Sequence, residues 1–358
     1  MTAGEKLGPP QVTGRPSLVR LPDHWYVACL SRQLRRQPLG RTVLGVPLAL
    51  FRDGAGQAVA VLDRCPHRNV PLSCGRVRDG LLECGYHGWR FDGDGACRKV
   101  PGLVGEDPDR RSRRATTFPA VEHDGFVWVV PDTAAPPPPS PFRFPHVNDP
   151  GYVTVRRHVR LQSTLHAALE NTLDVPHTAF LHGGLFRGGR DPVEIDVVLR
   201  HGHDRVEAEY VGEPRPEGIA GRILAPEGGI VSHVDRFLLP SIAQVEYRLG
   251  ENHLIVTSAF TPVGDFVTDL HSAITFSLRL PHALVRAVVT PIANRILGQD
   301  AAILRHQSEA IRRFGGEQFS STELDVLGQH IWKLLRQAER GEAAVGAPEA
   351  ERRIRMRV

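Results

Sequence analysis

An α+β fold is expected from three features. Short strand-like segments crowd residues 24–131, a polyproline tract follows, and the remainder mixes helical periodicity with further alternating strands. The 29 prolines and 35 glycines among 358 residues supply many turns, which favours strands joined by loops over a helical bundle. A chain of that length can bury a large core in one big domain or two ordinary ones.

The elements follow in order. Residues 1–17 are Gly/Pro-rich and polar and read as a flexible tail. Strand-like runs occupy Val43–Phe51, Ala58–Leu62 and Gly125–Val130, with turns such as Arg52-Asp53-Gly54 and Asp92-Gly93-Asp94-Gly95 between such runs, so 18–133 reads as a small all-β domain. The tract Ala134-Ala135-Pro136-Pro137-Pro138-Pro139-Ser140-Pro141 cannot enter a sheet interior, and 134–149 reads as a stiff linker. In the second domain, 150–340, apolar residues Leu161, Leu165, Leu169 and Leu173 mark a helix near period 3.6. Strands return over 193–280, as in Leu254-Ile255-Val256 and Ala273-Ile274-Thr275-Phe276, and helices are expected over 299–314 and 321–337. The Ala/Glu/Arg-rich stretch 341–358 reads as a second flexible tail.

Composition narrows the function classes. With 41% hydrophobic and 23% charged residues the chain reads as soluble and globular. A net charge of +4 without a long basic run argues against nucleic acid, and suits a basic docking face for an acidic electron carrier. No apolar run reaches the ~18 residues of a membrane span; Ala283–Leu297 is broken by Arg286, Pro291, Asn294 and Arg295. The first residues carry no apolar signal segment. Five cysteines, an odd number, argue against a disulfide scaffold and for a reducing compartment, with cytoplasm as the expectation.

Two Cys-His pairs carry the first chemical signal: Cys65-Pro66-His67 and, after sixteen intervening residues, Cys84-Gly85-Tyr86-His87. Two thiolates and two imidazoles can hold zinc, or a [2Fe–2S] cluster in which two histidines replace two cysteines on one iron. Zinc sites usually begin with a Cys-x₂₋₄-Cys knuckle, which neither pair has. These residues, with Arg68, Pro71-Leu72-Ser73, Gly75 and Gly88-Trp89, resemble the Rieske motif of the ring-hydroxylating oxygenases, closest to the single-subunit group around pheophorbide a oxygenase and vanillate O-demethylase. The resemblance implies that Cys65 and Cys84 bind one iron and His67 and His87 the other. Cys74 and Cys97 match no ligand position, and Cys29 has no assigned role.

A second signal follows the linker, in Glu170-Asn171-Thr172-Leu173-Asp174-Val175-Pro176-His177-Thr178-Ala179-Phe180-Leu181-His182. His177 and His182 are five apart, about 140° out of register on a regular helix, so one metal can take both only if the backbone departs from that helix. Pro176 makes such a departure plausible. The third ligand candidate is Asp300: Asp300, Ile303, Leu304, Gln307, Ile311 and Phe314 share one helical stripe, and a carboxylate turned toward a core needs a partner or a metal. D-x-x-H-x₄-H after a Rieske motif, with Gln299-Asp300 downstream, resembles the catalytic motif of the same oxygenases. That implies a facial triad of His177, His182 and Asp300 around Fe(II). In the family the aspartate matching Asp174 bridges a mononuclear-site histidine to a cluster histidine of the neighbouring subunit. Asn171 matches a position near the iron.

What the resemblance implies for the whole is an all-β Rieske domain followed by a helix-grip catalytic domain with an antiparallel sheet, assembled as a homotrimer. Electrons from NAD(P)H pass through a separate ferredoxin or flavin reductase, since no G-x-G-x-x-G fingerprint lies between a strand and a helix here. O₂ is used to hydroxylate, demethylate or desaturate an organic substrate that the resemblance suggests is bulky and partly apolar. Two other readings stand beside it: an electron-transfer Rieske protein without oxygenase activity, and a zinc-stabilised binding module.

Overall fold

The computed structural model describes residues 16–105, 107–134, 136–183, 193–214, 231–278, 282–342 and 350–357. The N-terminal half is built of strands β1 (Tyr26–Leu30), β2 (Leu39–Val43), β3 (Val46–Arg52), β4 (Ala58–Leu62), β5 (Arg76–Arg78), β6 (Leu81–Glu83), β7 (Arg90–Phe91), β8 (Cys97–Lys99), β9 (Thr117–Phe118), β10 (Ala120–His123) and β11 (Phe126–Val129). They form three antiparallel sheets ordered β1-β11-β10, β2-β3-β4-β9 and β5-β6-β7-β8. The run Val43–Phe51, expected as one strand, is a hairpin corner: Leu44 and Gly45 take φ of 49° and 80°, and β2 and β3 pair across them. Alternation alone could not show a two-residue reversal inside an apolar run.

The C-terminal half holds β12 (Val153–Leu161), α1 (Leu165–Leu173), α2 (His177–Leu181), β13 (Glu194–His201), β14 (Arg205–Val211), β15 (Ser232–Leu238), β16 (Ile242–Leu249), β17 (Asn252–Gly264), β18 (Val267–Ser277), α3 (His282–Phe314), α4 (Gly328–Glu339) and β19 (Ala350–Arg357). One antiparallel sheet of eight strands, β12-β18-β17-β16-β15-β14-β13-β19, wraps α1. Leu165, Ala168, Leu169 and Leu173 of α1 enter a core with Phe237 and Phe260 of the sheet and Ile331 and Leu335 of α4. Burying such side chains contributes roughly 2 kcal/mol each, and this core fixes the helix whose end carries the site.

Several expectations are corrected. The helix expected from Leu161 starts at Leu165, because Leu161 ends β12 and Thr164 caps α1 by accepting from Ala167 N at 3.2 Å. The helix expected over 299–314 is the second half of a 33-residue helix that contains Pro291, and the helix expected from 321 starts at Gly328. Ile303 and Phe314, read as part of the inward stripe, are exposed, leaving Leu304, Ser308 and Ile311 as its buried line. The tail expected over 341–358 contains β19, which pairs with β13 along its length. Its alternation of Arg353, Arg355 and Arg357 with Ile354 and Met356 suits an edge strand with one solvated face. The linker expected over 134–149 is docked: Trp25 Nε1 donates to Pro138 O at 3.0 Å, and Phe144 is buried against Trp128 and Phe126. Of the expected tail 1–17, residues 1–15 lie outside the described residues, while Ser17 N donates to Glu317 at 2.8 Å.

Candidate metal centres

The two Cys-His loops are built alike. Cys65 N donates to Val70 O and Asn69 N donates back to Cys65 O; Cys84 N donates to Trp89 O and Gly88 N donates to Cys84 O. In each loop the fourth residue after the cysteine is left-handed, Asn69 at φ 62° and Gly88 at φ 69°. The loops close on each other because Gly75 and Gly85 lie between them: a Cβ on Gly75 would sit 2.0 Å from Glu83 O, and one on Gly85 3.1 Å from Cys74 O. Asp63 holds Ser73 through its amide and hydroxyl at 2.7 and 2.6 Å, and Glu83 is clasped by Arg76 and Arg90, which outweigh burial and hold its carboxyl below the usual range.

This symmetry buries the Cys65 and Cys84 thiols and puts the two imidazoles at the tip, their centroids 4.6 Å apart, with His87 exposed. Trp89 stacks on His67 at 4.7 Å and 4°. Burial pushes the Cys65 thiol up to about 11, with the adjacent Cys84 sulfur adding to the rise. His67 Nδ1 is buried without a hydrogen-bond partner. Two inner sulfurs, two outer nitrogens and an orphaned imidazole nitrogen fit a two-iron group with mixed ligands. Cys74 is exposed, Cys97 and Cys29 are buried, and all three are unbridged.

The second set meets where α1 ends. Val175, preceding Pro176, is biased away from helix, so α1 stops at Leu173 and the chain restarts as α2 with Pro176 as its cap. His177 opens α2, and His182 leaves it at φ −106° and ψ 31°. The change of phase brings His177 Nε2 and His182 Nε2 within 3.3 Å. Asp300, from α3, places Oδ1 3.2 Å from His182 Nε2 and 3.7 Å from His177 Nε2, and this oxygen is buried without a hydrogen-bond partner. Atoms that share one ion at about 2.1 Å lie roughly 3–3.5 Å from one another, so the three fit a single metal.

Neighbouring acceptors fix the tautomers. His177 Nδ1 lies 2.5 Å from the Asp174 carbonyl oxygen and His182 Nδ1 3.1 Å from Gln299 Oε1. Each Nδ1 therefore carries the proton and each Nε2 lone pair faces Asp300. Burial opposes a charged His182, but Asp300 and Gln299 outweigh it and hold the imidazole above its usual range. The Asp174 carboxylate accepts from His177 N at 3.0 Å and remains partly exposed. No role was expected for Gln299; one turn of backbone phase decides whether it reaches His182, and the sequence carries no signal for that.

His177, His182 and Asp300 line a cavity of about 230 Å³. Asn171 and Thr178 also line it, together with the apolar Leu254, Ile274, Phe276, Ile292 and Ile296. Glu213 and Tyr247, also in the wall, flank a network that sequence reading missed. His233 is fully buried between the Tyr210 and Tyr247 rings, with Glu213 at 2.6 Å and Asp235 at 3.0 Å. Burial opposes its charge, yet the two carboxylates outweigh that and lift it to about 9. The second cluster of possible ligands, His158, Asp269 and His271, was not expected; its imidazoles lie parallel at 4.5 Å, so their lone pairs cannot meet on one ion.

Comparison with known proteins gives a consistent result. The Rieske [2Fe-2S] domain family matches residues 24–119, and the vanillate O-demethylase oxygenase C-terminal domain family matches 161–341. The chain is 40% identical over 180 residues to the dicamba O-demethylase oxygenase component of Stenotrophomonas maltophilia, covering 50% of this chain and 52% of that one. It is 28% identical over 342 residues to chloroplastic chlorophyllide a oxygenase of Chlamydomonas reinhardtii, covering 92% of this chain and 50% of that one. These matches span about half the length of those relatives. The fold is similar to that of dicamba monooxygenase bound to 3,6-dichlorosalicylic acid, with a TM-score of 0.78 at 24% identity over 91% of this chain and 99% of that one. No helix among the described residues is long and apolar enough to cross a membrane.

Proposed function

The chain belongs to the vanillate O-demethylase oxygenase family, with a Rieske [2Fe–2S] domain preceding the family's C-terminal domain, and on that premise we propose that it is the oxygenase component of an electron-transfer system. The observation that carries the reading is the convergence of His177, His182 and Asp300 in the wall of a largely apolar cavity. A pure electron carrier has no use for that pair of features. When bound, the cluster relays single electrons and the mononuclear iron uses them to reduce O₂ and oxidise a substrate C–H bond.

The residues divide the work. Cys65 and Cys84 would hold one iron of the cluster and His67 and His87 the other, and a ferredoxin or flavin reductase on another chain would supply the electrons. His177, His182 and Asp300 would hold the mononuclear iron, which would supply the O₂ chemistry. The Asp174 carbonyl and Gln299 keep both imidazoles in the ligating tautomer. The apolar lining excludes water and favours a bulky, partly apolar substrate. The unbridged cysteines suit a reducing compartment, the cytoplasm.

The assembly we propose is a homotrimer. Tyr86 and His87 leave the cluster tip exposed, and the partly exposed Asp174 forms a polar patch beside His177. A ring in which each tip meets the next copy's patch closes head-to-tail contacts without free ends. Asp174 then links His177 to His67 or His87 of the adjacent copy. Metal and sulfide analysis tests the centres: about three irons per chain with two acid-labile sulfides are expected, and stoichiometric zinc without sulfide overturns the reading. Sedimentation and single-turnover kinetics test the bridge. Asp174→Asn is expected to keep both centres loaded and slow electron transfer strongly, and an active monomer refutes the ring.

A further inference from the structure

A second cavity, of about 380 Å³, lies away from the metal centres, where the two halves of the chain meet. Its walls come from the end of β1 and the turn after it (Leu30, Ser31, Arg32), from Gly125 in the β10–β11 turn, from β12 (Thr154 to Arg157) and from α3 (Arg286, Thr290). Four of these residues are arginines. Many guanidinium groups among the described residues sit against carboxylates, as Arg52 does with Glu122 and Arg160 with Asp269. None of Arg32, Arg156, Arg157 and Arg286 forms an ion pair among the described residues.

The two β12 arginines are held in place by neutral acceptors. Arg156 Nε donates to the Asp124 carbonyl at 2.8 Å, and Arg157 Nε donates to Asn294 Oδ1 at 2.9 Å. Arg157 Nη1 also donates to Arg156 O at 2.9 Å, which leaves the other N–H groups of the two guanidinium ends for another partner. Gly125 makes the seat for Arg156: its φ is +82°, and a Cβ there would stand 2.7 Å from Arg156 Nε. The nearest acid, Asp124, directs its carboxylate to Phe144 N and Asn148 Nδ2 at 3.1 Å each. Burial comes first in lowering the Arg156 pKa, and Arg32 and Arg286 lower it further against the opposing pull of Asp124; Arg157 is lowered by burial and Arg32. Gathering like charges in a partly desolvated cleft costs free energy unless an anion joins them.

We propose that this cleft binds a small phosphate-bearing molecule, its anionic oxygens taken by Arg32, Arg156, Arg157 and Arg286. The concave shape and volume suit a small ligand better than a flat protein surface. Planar guanidinium forks on several sides match the oxygens of a phosphate group. Thr154 and Thr290 line the same walls. The site also touches the oxygenase pocket indirectly. Thr290 faces the cleft while Val289, Ile292 and Ala293 of the same helix line the substrate cavity, two to three turns before Asp300.

The test is calorimetric titration of the purified chain with inorganic phosphate at fixed ionic strength, with sulfate and acetate as comparison anions and iron content measured before and after. Saturable binding of one phosphate per chain is expected, with competition by sulfate and little response to acetate. Arg156→Gln and Arg286→Gln should each weaken phosphate binding about tenfold, while Arg305→Gln on the exposed side of α3 should not. If Arg156→Gln fails to fold, the exposed Arg286 still decides the matter. Equal heats from all three anions, or unchanged phosphate affinity in Arg286→Gln, overturn the proposal. So does binding of an acidic peptide without binding of phosphate, or a change of sedimentation in Arg286→Gln, either of which makes the cleft a protein interface. None of these readouts depends on the oxygenase reading.

Discussion

His271 should make the eight-stranded sheet sensitive to mild acid. It lies in β18 directly opposite His158 of β12, ring against ring at 4.5 Å and 6°. It is fully buried, and neither ring nitrogen has a hydrogen-bond partner. Burial pushes its pKa down to about 3; His158, Arg41 and Arg160 also lower it, and Asp269 opposes them. In the unfolded chain the imidazole titrates near 6.5. A depressed pKa on a base means that unfolding takes up a proton, so stability present above about pH 6.5 is lost as the pH falls toward 3. The loss from this one group is about 1.4 kcal/mol at pH 5.5 and about 5 kcal/mol once the pH is below 3. His271→Leu, which keeps an apolar side chain of similar size, should remove that dependence. The assay is urea unfolding of both proteins at pH 7.5 and 5.5 at constant ionic strength. Other groups, including His330, which burial holds down to about 4, contribute equally to both and cancel. The wild type should lose about 1.3 kcal/mol more than the variant between the two pH values. Equal losses would refute the assignment of His271 as a buried neutral base.

Other expected outcomes test the separate parts. His182→Ala should keep the EPR signal of the reduced cluster yet lose mononuclear iron and product formation, because the two centres share no ligand; normal turnover would remove the basis for Asp300 as well. Cys84→Ala should abolish the cluster signal and its visible absorbance. Gln299→Leu should lower mononuclear iron affinity roughly 10–100-fold while leaving the cluster intact, as read by iron titration, since it frees the His182 tautomer. Gly75→Ala should destabilise the N-terminal half by several kcal/mol, seen as a lowered Tm and lost sulfide, because its Cβ would meet the Glu83 carbonyl at 2.0 Å.

The sequence alone nominated the chemistry and its order along the chain. The Cys-His pairs lie on local loops, so a motif resemblance proposes Cys65, His67, Cys84 and His87 as ligands without a fold. The α+β class followed in the same way from alternation and helical period, which are local properties. Asp300 was proposed because a helical stripe pointed it inward, although that stripe also claimed Ile303 and Phe314, which solvent reaches. Tertiary structure decided the rest. The pairing that reads Arg/Glu residues 350–357 as a strand depends on β13, some 150 residues away in sequence. The approach of His182 to Gln299, the stack of His271 on His158 and the gathering of four arginines from three parts of the chain are meetings between distant segments. Local pattern fixes what a segment offers, but long-range packing selects its partner, because burial rewards the whole core and not any one pair.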